Sequence, residues 1–134
     1  MEPHSTSLRV RYAETDASGI VYYNNYFIYF EVGRVEMFRE LGLPYDRHLP
    51  IVEAHCRFHA SARFEDQLQV QTRVEEVRTR AFRIGSRVLR VPPGSGDLEL
   101  LVEGYVAMAT VDDEGQLVEL PPAFREAFAE AQSS

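Results

Sequence analysis

The segment Tyr12-Ala-Glu-Thr-Asp16-Ala-Ser-Gly19-Ile-Val-Tyr-Tyr23-Asn-Asn-Tyr26-Phe-Ile-Tyr-Phe-Glu31 governs how the rest of the chain is read. It sets one carboxylate, Asp16, in a short turn-like segment punctuated by Gly19, then passes directly into an aromatic cluster and the start of a long helix. Tyr26 to Val32 is apolar nearly all round except at Glu31, which predicts a helix buried on most sides rather than one lying on a surface. A helix of that kind requires other structure wrapped around it.

The helix runs roughly from Asn24 or Asn25 to Leu41. Either Asn suits the N-cap, where a side-chain oxygen satisfies a free backbone N–H. Gly42 suits the position just past the end, and Pro44 blocks continuation. The later turns carry Arg34, Glu36, Arg39 and Glu40, which predicts that this end emerges into water.

On either side of the helix the hydrophobic period is two. Leu8, Val10 and Tyr12 alternate with Arg9 and Arg11, as in a short strand with one buried face. From Ile51, the residues Val52, Ala54, Cys56, Phe58, Ala60, Ala62 and Phe64 alternate with polar ones, the longest such run in the chain. After a Glu65-Asp66 turn, Leu68, Val70, Thr72 and Val74 repeat the pattern, as do Phe82, Ile84 and Val88 beyond Arg78-Thr79-Arg80. Pro92 to Asp97 is a loop by composition, and Leu98 to Val111 is apolar on both faces in places, as a more central strand is. Asp112 to Gly115 turns back into Leu117-Val118. Pro121-Pro122 can open a last helix with Phe124 and Phe128 paired at i, i+4, and Gln132 to Ser134 reads as a frayed tail. Short links between strands make antiparallel neighbours. The expected fold class is therefore α+β: an antiparallel sheet of about five strands, one long helix and a short C-terminal helix, all in a single domain over residues 1–134.

Composition limits the partners. A net charge of −7 argues against nucleic-acid binding, which needs a basic face, and gives no support for docking on an anionic membrane. No apolar run approaches membrane-spanning length, and the first residues show no leader pattern. The one cysteine, Cys56, cannot pair within the chain, rules out a zinc site built on cysteines, and reads as a small core residue. No metal and no cofactor are expected, and a reducing cytoplasm is the expected compartment.

Asp16 lies a few residues ahead of a helix start, where unpaired N–H groups and a partial positive charge gather. Such N–H groups can hold the oxyanion that develops on a carbonyl under attack. A carboxylate beside that point can attack the carbonyl or deprotonate a water that does. Spacing alone leaves a second role open, because Asp is also a common cap of turns and helices.

Tyr12-x-Glu-Thr-Asp16-x-x-Gly19-Ile-Val-Tyr-Tyr23-x-x-Tyr26-x-x-Tyr-Phe-Glu31 closely resembles the signature of the 4-hydroxybenzoyl-CoA thioesterase family, especially its YbgC-like acyl-CoA thioesterase branch. Ser61-Ala-Arg63-Phe-Glu-Asp66-x-Leu68 is similar to that branch's second characteristic stretch. The order of strands and helix agrees along nearly the whole chain. This resemblance implies a hotdog fold, with the sheet wrapped around the central helix. It also implies an acyl-CoA substrate, an active site shared between two subunits, and a homodimer or a homotetramer built as a dimer of dimers.

By the same resemblance, Asp16 matches the essential carboxylate, acting as nucleophile or general base. Tyr23 matches the residue whose backbone N–H points at the thioester carbonyl. Gly19, Val21 and Tyr26 are expected to line the substrate. One departure stands out: many YbgC-like members carry His where this chain has Tyr23. A His could assist proton transfer near neutral pH, whereas a Tyr, with a pKa of about 10, is a poorer proton acceptor. The backbone N–H role is indifferent to that exchange.

Several other residues admit plainer roles. Glu31, on the apolar half of the helix, could position a water, but a buried pair with Arg34 or Arg63 is the expectation. His55 and His59 share a strand face without an obvious carboxylate partner and read as surface or interface residues rather than metal ligands. Arg78 and Arg80 resemble, loosely, the basic turn that contacts coenzyme A phosphates in some relatives, and guanidinium pairs well with phosphate. The leading expectation is hydrolysis of a short-chain or aromatic acyl-CoA. The alternatives are an enoyl-CoA hydratase or dehydratase on the same fold, which would call for a His that the opening segment lacks, and a non-catalytic acyl-CoA-binding module.

Overall fold

The computed structural model describes residues 2–94 and 96–133. Five strands form one antiparallel sheet: β1 (His4–Arg9), β2 (Ile51–Phe58), β3 (Gln67–Val77), β4 (Ala81–Arg90) and β5 (Glu99–Ala109), in the order β1-β3-β4-β5-β2. The long helix α1 (Asn25–Leu41) packs on β1, β3 and β4, and a second helix, α2 (Pro122–Ser133), packs on β3. This is the hotdog arrangement implied by the resemblance. The described residues include no helix long and apolar enough to cross a membrane.

The strand alternation becomes burial most directly in β3, where Leu68, Val70, Thr72 and Val74 are buried and their neighbours are not. Gly33 sets how close α1 can come. A Cβ there would lie 2.4 Å from Thr72 Oγ1 and 2.7 Å from Val70 Cγ1, so any side chain would push the helix off the sheet. Gly42, in the left-handed conformation at φ 73°, ends the helix as expected, and the Leu43 N–H bonds to the Phe38 carbonyl at 2.9 Å.

The core has two parts. One gathers Met37, Phe38, Val74, Phe82, Val106, Met108, Phe124 and Phe128 between α1, the sheet and α2. Phe38 is its centre, with the rings of Tyr45, Phe82, Phe124 and Phe128 at 5.2, 6.1, 6.1 and 5.9 Å. The expected Phe124 and Phe128 pair is the apolar stripe of α2. The other part gathers Val10, Val21, Tyr26, Tyr29, Phe30, Ala62, Leu68, Val70, Val88, Leu101 and Val102 under the first half of α1.

Several boundaries differ from the sequence reading. β1 starts at His4 and ends at Arg9, and Tyr12 stands exposed in a 3-10 turn (Tyr12–Glu14). Asn24 adopts helical dihedrals and makes no side-chain cap, while the Asn25 amide donates to the Glu14 carbonyl at 2.9 Å. The long alternation from Ile51 stops being strand at Phe58. Residues 59–66 then cross the end of the sheet to reach β3, so these two strands are not neighbours despite the short link. The last strand spans Glu99–Ala109 rather than Leu98 to Val111, and Val111 instead bridges Leu117 beyond the turn at Asp112 to Gly115. In the expected frayed tail, Gln132 and Ser133 are helical and Ser134 lies outside the described residues. Within the expected loop Pro92 to Asp97, Ser95 also lies outside them.

Two charges on α1 exchange their expected places. Arg34, expected in water, is buried, with its Nε donating to the Tyr45 hydroxyl at 3.2 Å. Glu31, expected in a buried ion pair, is exposed and forms no ion pair among the described residues.

Candidate active site

The site is built by the irregular segment between β1 and α1. Asp16 opens a tight turn: its Oδ1 accepts the Ser18 N–H at 2.8 Å and its carbonyl accepts the Gly19 N–H at 3.0 Å. Gly19 closes the turn at φ 80°, a conformation that strains any residue with a Cβ. The Asp16 N–H then bonds to the Ile20 carbonyl at 2.9 Å, and bridges Thr15–Val21 and Ile20–Arg63 fix the returning chain.

Glu14 anchors this turn to the helix. Its side chain is buried and accepts the Tyr29 hydroxyl at 2.8 Å, the Arg11 N–H at 2.9 Å and the Arg11 guanidinium at 2.5 Å. Burial pushes its carboxyl pKa up, but the donors from Arg11 and Tyr29 outweigh that and leave it below the ordinary value. Its carbonyl accepts both the Tyr22 N–H and the Asn25 amide. Tyr29, buried and donating to that carboxylate, has its hydroxyl pKa pushed well up. The chain entering and leaving the Asp16 turn is thus tied to one residue, Glu14, through its carboxylate and its backbone carbonyl.

The second motif forms the opposite support. The Ala62 N–H donates to the Tyr26 hydroxyl at 2.9 Å, and the Ala62 carbonyl accepts the Val21 N–H at 2.9 Å. Asp66 accepts the Arg63 N–H at 2.9 Å and pairs with the Arg90 guanidinium. Glu65 is the one described non-glycine residue at positive φ, 74°, held by its N–H to the Val10 carbonyl. Tyr26 is buried, and that burial pushes its hydroxyl pKa up, so at neutral pH it is a neutral wall against the Phe58 ring at 5.6 Å.

These pieces enclose a cavity of about 400 Å³ whose lining includes Asp16, Val21, Tyr23, Tyr26, Phe58 and His59. Four of the expected site residues therefore come together: Asp16, Val21, Tyr23 and Tyr26. Gly19 shapes the turn without lining the cavity. Tyr23 lies at the mouth beside Tyr22, ring centroids 4.9 Å apart, and its backbone N–H has no acceptor among the described residues. Asp16, Tyr23 and the rings of Tyr26 and Phe58 thus border one cleft at the start of α1.

Arg78 and Arg80 do not join them within one chain. They occupy the β3–β4 turn, where Arg78 pairs with Glu76 at 2.9 Å. Phe58 beside the cavity is in register with Val102, and Val102 with Val88, whereas the turn begins at Ala81. Val88 lies seven residues along the strand from Ala81, roughly 23 Å at 3.3 Å per residue. No group of three or more His, Cys, Asp or Glu among the described residues could hold a metal ion.

Glu14 was not singled out by sequence reasoning, and His59 was read there as a surface or interface residue without an obvious carboxylate partner. His59 lines the cavity, with Nε2 2.7 Å from Glu103 Oε2. Only the β2–β5 register, which brings residue 57 opposite Glu103, could have suggested that neighbour. Glu14 is visible as a member of the motif, but its burial follows from Tyr29 fifteen residues later, one helix away.

Residues 10–128 match the family described as "Thioesterase-like superfamily". A local match, 36% identical, to a protein of Aquifex aeolicus covers 52% of this chain and 59% of that one. The acyl-CoA thioester hydrolase YbgC of Escherichia coli is 30% identical, covering 78% of this chain and 79% of that protein. The solved structure of 4-hydroxybenzoyl-CoA thioesterase from Pseudomonas sp. strain CBS-3 superposes with a TM-score of 0.83 at 26% identity, covering 95% of this chain and 99% of that one.

Proposed function

This chain belongs to the thioesterase-like superfamily, and on that premise we propose that it hydrolyses an acyl-CoA thioester to free acid and coenzyme A. The observation that carries the proposal is the shared cleft: Asp16, Tyr23, Tyr26 and Phe58 line one cavity, and the Tyr23 N–H has no acceptor among the described residues. The Tyr23 N–H polarises the thioester carbonyl and holds its oxygen as charge develops. Asp16 either takes a proton from an attacking water or attacks the carbonyl carbon itself. In the first route water adds to the carbon, the C–S bond breaks, and the departing thiolate recovers the proton from Asp16. In the second Asp16 adds to the carbonyl carbon, the C–S bond breaks and the thiolate leaves, and water then hydrolyses the resulting acyl-aspartyl anhydride to the free acid and the Asp16 carboxylate. The aromatic walls suit a short aliphatic or an aryl acyl group.

We read the working form as a homodimer or a dimer of dimers. Arg78 and Arg80 lie outside the lining of the Asp16 cavity, so their part is contact with the distant phosphates of coenzyme A, from the same chain or from a second copy. The free thiol of Cys56, its pKa pushed up to about 11 by burial, suits a reducing cytoplasm and adds no competing nucleophile at neutral pH.

Thiol release from a panel of acyl-CoAs, including 4-hydroxybenzoyl-CoA and short straight-chain esters, is the direct test. Asp16→Asn is expected to lower kcat by about 10²–10⁴-fold, the scale of a lost general base. The same turnover in both proteins would remove Asp16 from the mechanism. One observation favours a second reading, hydration of an enoyl-CoA: His59, backed by Glu103, supplies to the cavity the acid–base group that the opening segment lacks. Loss of the enoyl absorbance without thiol release would select that reaction instead.

A further inference from the structure

Arg34 is a buried charge without an acid. It is 1% exposed, its Nε donates to the neutral Tyr45 hydroxyl, and its NH1 has no hydrogen-bond partner among the described residues. A guanidinium cannot escape by losing its proton, and a buried charge left unpaired is strongly destabilising. One turn earlier on the same helix, Glu31 is exposed and has no cation within ion-pair distance among the described residues. Both line one small cavity of about 200 Å³ with Phe27, Ile28, Ile51 and Ala54, at the seam between α1 and the start of β2.

The surroundings of that seam are apolar and uncovered. Ile28 is 45% exposed, Ile51 49% and Val52 62%, with Val32 beside them at 36%. β2 pairs only with β5, so its outer edge presents free backbone groups, and it carries an apolar face on a strand that is exposed nearly throughout. Monomers rarely leave such an edge open.

We propose that a second copy of this chain covers the α1–β2 seam across a two-fold axis, and that Glu31 of each copy enters the cavity of the other to pair with Arg34. Charge complementarity selects this occupant. In a two-fold contact the same patch meets itself, so an unpaired cation and an unpaired anion one helical turn apart satisfy one another twice. The inference rests on the dimeric reading given above and adds the residues that hold the two copies in register. It also joins the interface to the active site, because Phe27 at the seam follows Tyr26 at the catalytic cavity on α1.

The test uses the full chain and two charge reversals. Glu31→Arg alone changes an exposed residue and leaves the fold intact. It faces Arg34 with a like charge, so its dimer dissociation constant, measured by analytical ultracentrifugation, is expected to rise at least tenfold over wild type. Arg34→Glu is then mixed, under a different tag, with Glu31→Arg. Only the mixed dimer holds two opposite-charge pairs: the two substituted side chains face each other with their charges exchanged, and the native Arg34 of one copy faces the native Glu31 of the other. Native mass spectrometry is therefore expected to show the mixed dimer well above the statistical half. An ion pair confined within one chain predicts no such preference.

If Arg34→Glu does not fold, mixing Glu31→Arg with Arg34→Gln replaces it, and the mixed dimer is still expected in excess. A wild-type dimer whose dissociation constant Glu31→Arg leaves unchanged, or mixed dimers at the statistical half, overturns the pair and leaves Arg34 to a small anion in the cavity. A wild-type monomer at all concentrations overturns both the pair and the dimeric reading. Thiol release by the wild type, read in parallel, reports on the thioesterase assignment separately.

Discussion

Along α1, Met37 and Phe38 at one end and Ile28 and Val32 at the other are equally apolar, yet the first pair is buried and the second exposed. The difference lies in what covers them. The second half of the helix is enclosed by α2, which lays Phe124 and Phe128 against it and closes an aromatic core around Phe38. The first half meets the sheet on one side only, and its open flank faces β2, the edge strand. The closed half behaves as a small protein's interior should. The open half holds the Asp16 cavity, Arg34 with no acid partner among the described residues, and an exposed β2 face. A period of apolar residues reports that a surface will be covered, but not whether this chain or another copy covers it.

The largest effect on stability is expected in the closed half. Phe38→Ala removes the ring that four other aromatic rings surround, and should lower the unfolding free energy by about 3–5 kcal/mol. Urea titration checks this. A loss below about 1 kcal/mol would mean that the aromatic core repacks, and the contrast between the halves would weaken.

The same contrast explains what could be read from the sequence. The buried alternation of β3, the Gly42 stop and the Phe124 and Phe128 stripe were legible because local pattern and final environment agree there. Asp16 and Tyr23 were legible as a motif, and the cavity brings them together. Arg34 was misplaced because charge type predicts water, while Tyr45 and the packing of α1 decide otherwise, and Glu31 because its apolar neighbours on the helix predict burial, while the flank it stands on is exposed. The end of β2 was missed because the alternation continues through Ala60 and Ala62, which serve the cavity wall and the Tyr26 hydrogen bond instead of a strand. Arg78 and Arg80 were joined to the site by resemblance, and the strand register sets them at the far end of β4 from the cavity, outside its lining.

An intermediate effect is expected at Glu14, where the open half is tied together. Glu14→Gln keeps an acceptor for Tyr29 but loses the charge that holds Arg11, and should cost about 1–2 kcal/mol at pH 7. Its pH dependence has a definite sign. The folded carboxyl pKa lies below the ordinary 4.5, so its contribution is present above that pH and is lost as pH falls through the lower folded value. The stability gap between wild type and Glu14→Gln should therefore be constant from pH 7 down to about 4.5 and narrow below it. A gap that widens in acid would mean that burial, not the Arg11 and Tyr29 donors, dominates that carboxyl.

The smallest effect on stability is expected from the same substitution as the first, moved to the open flank. Phe58 is half exposed, and its one close ring partner is Tyr26 at 5.6 Å. Losing that edge contact and the little area it covers should cost about 1 kcal/mol when measured at the lowest workable protein concentration. Phe58 lines the cavity that holds Asp16, so under the proposed function its removal should raise KM for acyl-CoA more than it lowers kcat, since the ring supplies binding surface rather than reacting atoms. If Phe58→Ala instead costs as much as Phe38→Ala, and more so as protein concentration rises, then the flank is closed in solution by another copy. The two halves of α1 would then differ only in which chain covers them.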